Sequence, residues 1–409
     1  MLVTRPAVAA IYLCSVMFFW RFQLVIDNAT VPVYLLLVPL ALLLDIPRGV
    51  VIRTLVFGAV TLGVLLVAML QGAELTRSSV SLVALLIVMV CWVGIGAAIR
   101  QLRLDGWLAL ATAVKIVIRL QLALQLAEIV GLDPLGNRSY PHYYLPIDRM
   151  PGLLIEPSHV AITFSPLIVA AFWPKERCFG GHLSRLDFLL VFAIVFLCPS
   201  ATLVAVLGLA LALRIAARTP LLGFAMIAVP VLILQNLPFV LGLLPDAIAD
   251  RLGTLVFIVR TGYFDGSSNL TSVVFYGGFR AAMTTLAEYP LGLGFLNMGA
   301  AYASEGLDHY MRVAGETNVH DGSSMLFKLV TEFGWLGVAF VVYSVLVIWR
   351  FFTTEEGDLT TGVLAFALLA FFARGASYLD GPVLVALAVI LFGLRPPREA
   401  PDLSAPARA

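Results

Sequence analysis

Residues 50–70 read VVIRTLVFGAVTLGVLLVAML and residues 79–99 read SVSLVALLIVMVCWVGIGAAI, and between them the two stretches hold one charged side chain, Arg53. About 20 such residues in helical conformation match the roughly 30 Å hydrocarbon core of a bilayer. Both stretches are therefore read as membrane-spanning helices. The rest of the chain agrees, because 61% of its 409 residues are hydrophobic and 12% are charged. That balance leaves too few polar side chains to cover a water-soluble globule of this length, so lipid is the solvent for much of the surface.

Further apolar runs lie near residues 6–20, 30–44, 106–130, 158–173, 186–198, 201–213, 220–244, 321–349, 359–373 and 381–394. They predict an all-α polytopic membrane protein of about 12 transmembrane helices, several of them shorter than an upright span prefers. Pro199 and Ser200 divide two of the short runs, either as an exterior turn or as a kink in one long helix. Met1 to Arg5 lead straight into an apolar run without a cleavage pattern, which is read as a retained first helix. The expected partition is one membrane domain over 1–394 and a disordered, Pro- and Ala-rich cytoplasmic tail over 395–409.

Basic residues orient the body. Placing even-numbered connections inside puts Arg48, Arg53, Arg100, Arg103, Lys175, Arg177, Arg185, Arg214, Arg218, Arg350, Arg395 and Arg398 in the cytoplasm with both termini. Two long connections, 131–157 and 245–320, then lie outside, and short helices are expected within them. They carry Arg138, Arg149, Arg251, Arg260, Arg280 and Arg312 against the topogenic bias, and four of the five histidines if His159 at the membrane edge is counted. Something on the exterior face calls for cations.

Several function classes drop out. Cys14, Cys91, Cys178 and Cys198 have no paired spacing for a zinc site or a disulfide framework. A net charge of +1, with basic residues spread over loops, implies no nucleic-acid partner. Gly292 and Gly294 follow Pro290 without a preceding strand or a Walker pattern, which leaves nucleotide binding weak.

The first exterior connection, GLDPLGNRSYPHYYLPIDRMPGLLIEPSHVA (131–161), gathers Arg138, Tyr143, Tyr144, Arg149, Glu156 and His159. Tyrosine faces suit sugar rings, guanidinium forks suit phosphate oxygens, and a carboxylate or imidazole accepts a hydroxyl proton. An interfacial aromatic belt with snorkelling arginines is the plainer account, and for the tyrosines the better one. The second long connection ends in GETNVHDGSSMLFKLVTEFGWLGVAF (315–340), where His320 stands at a helix entrance that Asp321, Ser323 or Ser324 would cap. FRAAMTTLAEYPLGLGFLNM (279–298) predicts an amphipathic helix from about Phe279 to Tyr289, with Arg280 in its first turn. Asn269-Leu270-Thr271 matches a glycosylation pattern that occurs often by chance. In the fifth run, Lys115 and Arg119 lie one turn apart, with Gln121, Gln125 and Glu128 on another face. Either the two cations line a pocket for a lipid-phosphate headgroup, or they pair internally with a carboxylate such as Asp45 or Asp380.

Taken together, RMPGLLIEPS (149–158), RAAMTTLAEYPLGLGFLNM (280–298) and HDGSSMLFKLVTEFGWLG (320–337) resemble the O-antigen polymerase and ligase family in order and spacing. The resemblance implies a multi-pass protein of the bacterial inner membrane. In it, an acceptor hydroxyl attacks an undecaprenyl diphosphate-linked glycan on the exterior face, without nucleotide sugar, metal or cofactor. It carries the first-loop arginine to Arg149 and the signature histidine to His320. The family's second-loop arginine falls nearer Phe275, so Arg280 and Arg260 are the substitutes this chain offers. Glu156-Pro157-Ser158 resembles polymerases more than ligases. The roles implied are diphosphate stabilisation by Arg149 and Arg280 and proton acceptance by His320 or Glu156. Arg138, Tyr143, Tyr144, Arg260, Lys115 and Arg119 are further substrate contacts, and chain-length regulators and flippases are protein partners. A ligase moving finished glycan to a lipid A core stays open, as does a transporter, which would favour broken midplane helices and internal repeats; neither is visible in the sequence.

Overall fold

The computed structural model describes residues 4–26, 29–72, 78–105, 107–132, 135, 140–141, 148–154, 156–172, 179–219, 237–244, 246–302, 307–320, 323–353, 359–372 and 377–392. The chain is an all-α membrane protein. Among the described residues, 4 helices are long and apolar enough to cross a bilayer: Arg48–Leu70, Val80–Leu102 within a longer helix, Trp107–Ile129 and Met325–Thr353. Ile52, Leu55, Leu66, Leu70, Leu86 and Leu346 stand exposed along them, a display of apolar surface that only lipid accommodates.

In chain order the helices are α1 (Arg5–Phe18), α2 (Arg48–Leu70), α3 (Ser78–Asp105), α4 (Trp107–Ile129), α5 (Pro157–Ala170), α6 (Arg185–Leu197) and α7 (Ala201–Arg218). They continue with α8 (Leu237–Gly242), α9 (Asp246–Thr261), α10 (Leu270–Glu288), α11 (Met298–Ala301), α12 (Asp308–Ala314), α13 (Met325–Thr353), α14 (Leu359–Phe372) and α15 (Gly381–Phe392). Helices therefore stand at the positions of most of the apolar runs, and short helices occupy the second long connection.

The segment 30–44 departs from expectation. It is not an α-helix: strands β1 (Gln23–Ile26) and β2 (Ala29–Pro32) form an antiparallel hairpin, followed by a 3₁₀ helix over Val33–Leu43. Pro39, inside the run, lacks the amide that an α-helical ladder needs and its ring crowds the carbonyl one turn back, which disfavours a regular α-helix here. A second small pair, β3 (Tyr140–Pro141) and β4 (Asp148–Arg149), lies in the first long connection. Most of the expected span at 220–244 and the tail 395–409 lie outside the described residues.

Cys198 (φ −134°, ψ 60°) and Ser200 (φ −145°, ψ 158°) both leave the helical conformation, so α6 and α7 are two separate helices rather than one kinked one. The Ser200 hydroxyl accepts from the Leu203 amide at 3.1 Å and caps α7. Carbonyls freed near the break are taken up from the first long connection and from α4. Arg149 Nη1 donates to Pro199 O (3.2 Å), Met150 N to Leu197 O (3.3 Å) and Gln125 Nε2 to Ile194 O (3.1 Å). Inside a membrane protein such groups must be satisfied from within.

Two apolar cores result. The larger joins α1, α3, α4, α5 and α15 with parts of their neighbours. The smaller joins α9 to α12 with Phe327 and Val330 of α13, so the second long connection is a packed unit rather than a loose loop. Its helix α10 begins nine residues before the expected start at Phe279, because Asn269 caps it by accepting from Thr271 N at 3.2 Å. The glycosylation-like triplet is thus a helix cap. Gly277, inside this helix, lies where the Tyr310 ring packs against it.

The helix α13 is broken at Gly334 (φ 56°, ψ −133°), a conformation that suits glycine. Into the break docks Pro290-Leu291-Gly292-Leu293-Gly294. Trp335 N donates to Pro290 O (2.9 Å), Leu293 N to Thr331 O (2.9 Å) and Gly294 N to Glu332 O (2.9 Å). A Cβ on Gly334 would stand 2.0 Å from Pro290 O, and one on Gly292 2.5 Å from the Glu332 carbonyl. The Pro-Leu-Gly and Glu-Phe-Gly segments, far apart in sequence, are thus two halves of one backbone junction. This broken helix was not visible in the sequence.

Candidate functional site

Two ionisable clusters stand out. In the first, the polar face of α4 holds the turn that follows Arg149. Gln121 donates to Pro151 O (2.9 Å) and accepts from Leu153 N (2.9 Å), Gln125 donates to Met150 O (2.6 Å), and Glu128 accepts from Gly152 N (3.1 Å). Three side chains at helical spacing thereby set the path of Met150 to Leu153. Arg149, buried, is held at the α6–α7 break through Pro199.

The same connection then starts α5, where Glu156 occupies the N-cap position and accepts from Ser158 Oγ at 3.3 Å. His159 is buried one turn in, its Nε2 3.8 Å from the Glu156 carboxylate and 2.5 Å from Arg21 Nη2. The His159 ring thus stands between a guanidinium and a carboxylate. Arg21 also stacks over Trp20 (4.3 Å), whose indole N–H donates to Thr163 (3.1 Å).

The second cluster surrounds the entrance of α13. Ser324, of the three capping candidates, accepts from Phe327 N at 3.3 Å; Asp321 lies outside the described residues. His320 is exposed at the end of a turn that Tyr310 braces by donating to Thr317 O at 2.7 Å. Burial pushes the Tyr310 phenol up to about 12, so it stays protonated as a donor. Lys328, almost wholly buried, donates to the His320 carbonyl at 2.7 Å and lies 3.9 Å from the carboxylate of Glu332, which is fully buried. The Tyr378 hydroxyl and the amides of Leu296 and Met298 face that carboxylate without reaching hydrogen-bond geometry. Tyr378 in turn stacks on Phe295 (4.7 Å) and lies beneath the Lys328 ammonium (5.2 Å).

One element ties the clusters together. The stretch carrying the β1–β2 hairpin begins at Arg21, bonded to His159, and runs to Tyr34, whose hydroxyl donates to Leu379 O at 2.5 Å beside Tyr378.

Of the expected site residues, Arg149 and Glu156 belong to the first cluster and His320 to the second. Arg280 and Arg260 are exposed on α10 and α9. Arg138, Tyr143 and Tyr144 lie outside the described residues. Lys115 and Arg119 lie 3.9 Å and 3.4 Å from Asp187, which is the internal pairing, though with neither carboxylate suggested from the sequence. Asp45 instead bonds Arg5 at 2.6 Å, and Asp380 accepts from Ser377 N at 2.9 Å. Sequence reasoning passed over Arg21, Lys328, Glu332 and Tyr378. A lysine and a glutamate four residues apart in an apolar helix were a usable signal; for Arg21 there was none. No protein-family model matches the chain, and no curated protein matches it.

Proposed function

We propose that the chain is a polymerase of lipid-linked oligosaccharide repeat units, making an exopolysaccharide or O-antigen on the exterior face of the bacterial inner membrane. The acceptor hydroxyl oxygen attacks the anomeric carbon of the donor glycan and the bond from that carbon to the diphosphate breaks. Undecaprenyl diphosphate leaves, and the acceptor proton passes to His320 or Glu156. Arg149 and Arg280 stabilise the charge that builds on the leaving diphosphate. No nucleotide sugar, metal or cofactor takes part in this scheme. Arg138, Tyr143, Tyr144 and Arg260 are assigned to the glycan path, and a chain-length regulator and a flippase are the proposed protein partners.

The observation that carries this reading is that one hairpin stretch, Arg21 to Tyr34, bonds His159 of the first cluster at one end and, at the other, the carbonyl of Leu379, the residue after Tyr378 of the second. A donor diphosphate and an acceptor hydroxyl need cations and a base within one cavity, and the two clusters offer these groups. The proposed topology of 12 spans with both termini cytoplasmic draws support from contacts between connections. Arg149 with Pro199 and Phe295 with Tyr378 join connections assigned to the exterior, and Arg21 with His159 and Tyr34 with Leu379 join such connections to the exterior ends of neighbouring runs. Arg5 with Asp45, Arg53 with the Phe392 carbonyl, and Phe179 with Thr360 each join regions assigned to the cytoplasm.

The break in α13 bears on the transporter alternative, which uses discontinuous helices at the membrane midplane. From Trp335 to Trp349, just before Arg350, which the proposed topology places inside, the helix runs about 21 Å at 1.5 Å per residue. The break is filled by Pro290 to Gly294 of the second long connection, which assigns it to the exterior end of α13 and favours an enzyme over a carrier.

The deciding experiment incubates purified protein with undecaprenyl diphosphate-linked repeat units. A ladder of lengthening glycan is the expected product. Transfer only to a lipid A core would make it a ligase, and movement of unextended donor across a proteoliposome would make it a flippase.

A further inference from the structure

Lys328 and Glu332 are among the most buried charges in the protein, and burying an ion pair is a weak way to gain stability. Neither side chain is pointed at the second cluster's surface. The ammonium is spent on a backbone oxygen, that of His320, at 2.7 Å. On the other side of the same residue, the imidazole lies against Gly299 so closely that a Cβ there would stand 2.7 Å from Nδ1 and 2.8 Å from Cε1. His320 is thus held at its carbonyl by α13 and at its ring by α11. The turn behind it is pinned by Tyr310 on Thr317 O and by Ser323 on Val274 O (both within 2.8 Å).

We infer that Lys328, with Glu332 as its buried counter-charge, is the positioning residue of His320, and that Gly299 is the floor on which the imidazole rests. Glu332 lies one helical turn on, 3.9 Å from the ammonium; the ammonium sets the height of the His320 carbonyl; the missing side chain at 299 sets where the ring stands. The assignment rests on the glycan-transfer reading of His320. It extends that reading to three residues that need not touch substrate.

The test uses full-length protein in detergent with lipid-linked repeat units as substrate. Replacing Lys328 alone would strand a buried carboxylate and endanger folding, so the pair is removed together as Lys328→Met with Glu332→Leu, a swap that buried ion pairs often tolerate. Gly299→Ala is the second variant and His320→Ala the reference. Positioning predicts that both variants stay folded and lose turnover at least tenfold, with the KM for donor within about threefold of wild type. It also predicts that backbone hydrogen exchange over residues 315–320 speeds up in the double variant while α13 keeps its protection. A folded double variant or Gly299→Ala protein with wild-type turnover, or unchanged exchange over 315–320, overturns the assignment. Glycan transfer fails separately, if wild type makes no polymer or His320→Ala makes as much as wild type; the exchange measurement judges the strut in that case too.

Discussion

The amide of Trp335 donates to the carbonyl of Pro290 at 2.9 Å, taking the place of the helical bond that the turn at Gly334 has lost. With the bonds of Leu293 and Gly294, this contact joins the end of the smaller packed core to the second part of α13. It leaves no room for a side chain at Gly334 or Gly292.

Gly334→Ala should therefore be poorly tolerated. The added methyl meets Pro290 O at 2.0 Å, and φ at 56° is already strained for an alanine. A loss of about 3 kcal/mol or more is expected from the two effects together. Gly63→Ala, where nothing lies within 4 Å, is the control and should behave as wild type. Thermal midpoints of the detergent-solubilised proteins decide it; equal midpoints would mean that the junction is not formed.

Arg149→Ala removes both a proposed diphosphate contact and the donor to Pro199 O. Polymer formation should fall roughly 10²- to 10³-fold, the usual loss for a charge-stabilising donor. Arg149→Lys, which keeps the charge and one donor, should recover part of it. Glycan ladders from cells carrying each variant give the measurement, and unchanged ladder length in Arg149→Ala would remove this residue from the site.

Asp187 is buried at the start of α6, where it completes a capping box with Ser184 and pairs with Lys115 and Arg119. Asp187→Ala should cost about 2 kcal/mol, from a lost cap and lost charged hydrogen bonds, and leave activity per folded molecule unchanged. If activity per folded molecule drops as far as in Arg149→Ala, Lys115 and Arg119 serve the substrate after all.

Orientation can be read directly in a background without cysteines. Ser267→Cys, exposed between α9 and α10, should react with a membrane-impermeant maleimide on intact spheroplasts. Gly49→Cys, exposed at the start of α2, should react only after the membrane is opened. The reverse pattern would put both clusters in the cytosol and end the glycan proposal.

Asp265 sets a local pH dependence. Hydrogen bonds from Ser267, first its hydroxyl and then its amide, hold the Asp265 carboxyl below the usual carboxylate range. A carboxylate with a lowered folded value contributes order that is fully present above its unfolded value and is lost as pH falls through the folded one. Backbone exchange over residues 262–269 should thus accelerate on acidification below the ordinary aspartate range, and Asp265→Asn should flatten that response. A pH-independent exchange rate in wild type would count against the turn.

What the sequence alone determined is the solvent. Apolar runs such as 50–70 and 79–99 can be satisfied only by lipid, and their helical state follows because backbone groups in a bilayer must bond within their own segment. Prolines and polar caps marked some boundaries correctly, as at Ser200 and Ser324. Elsewhere the boundaries differ from expectation: the run at 30–44 is wound as a 3₁₀ helix around Pro39, and α10 is capped at Asn269, ahead of the expected start at Phe279. Tertiary structure alone decided which distant residues meet. That Arg21 finds His159, that Lys328 finds the His320 carbonyl, and that Pro290 fills the gap at Gly334 are facts of three-dimensional closure. A periodic pattern reports which face of a helix avoids water, and it is silent on which polar atom across the interior will satisfy another.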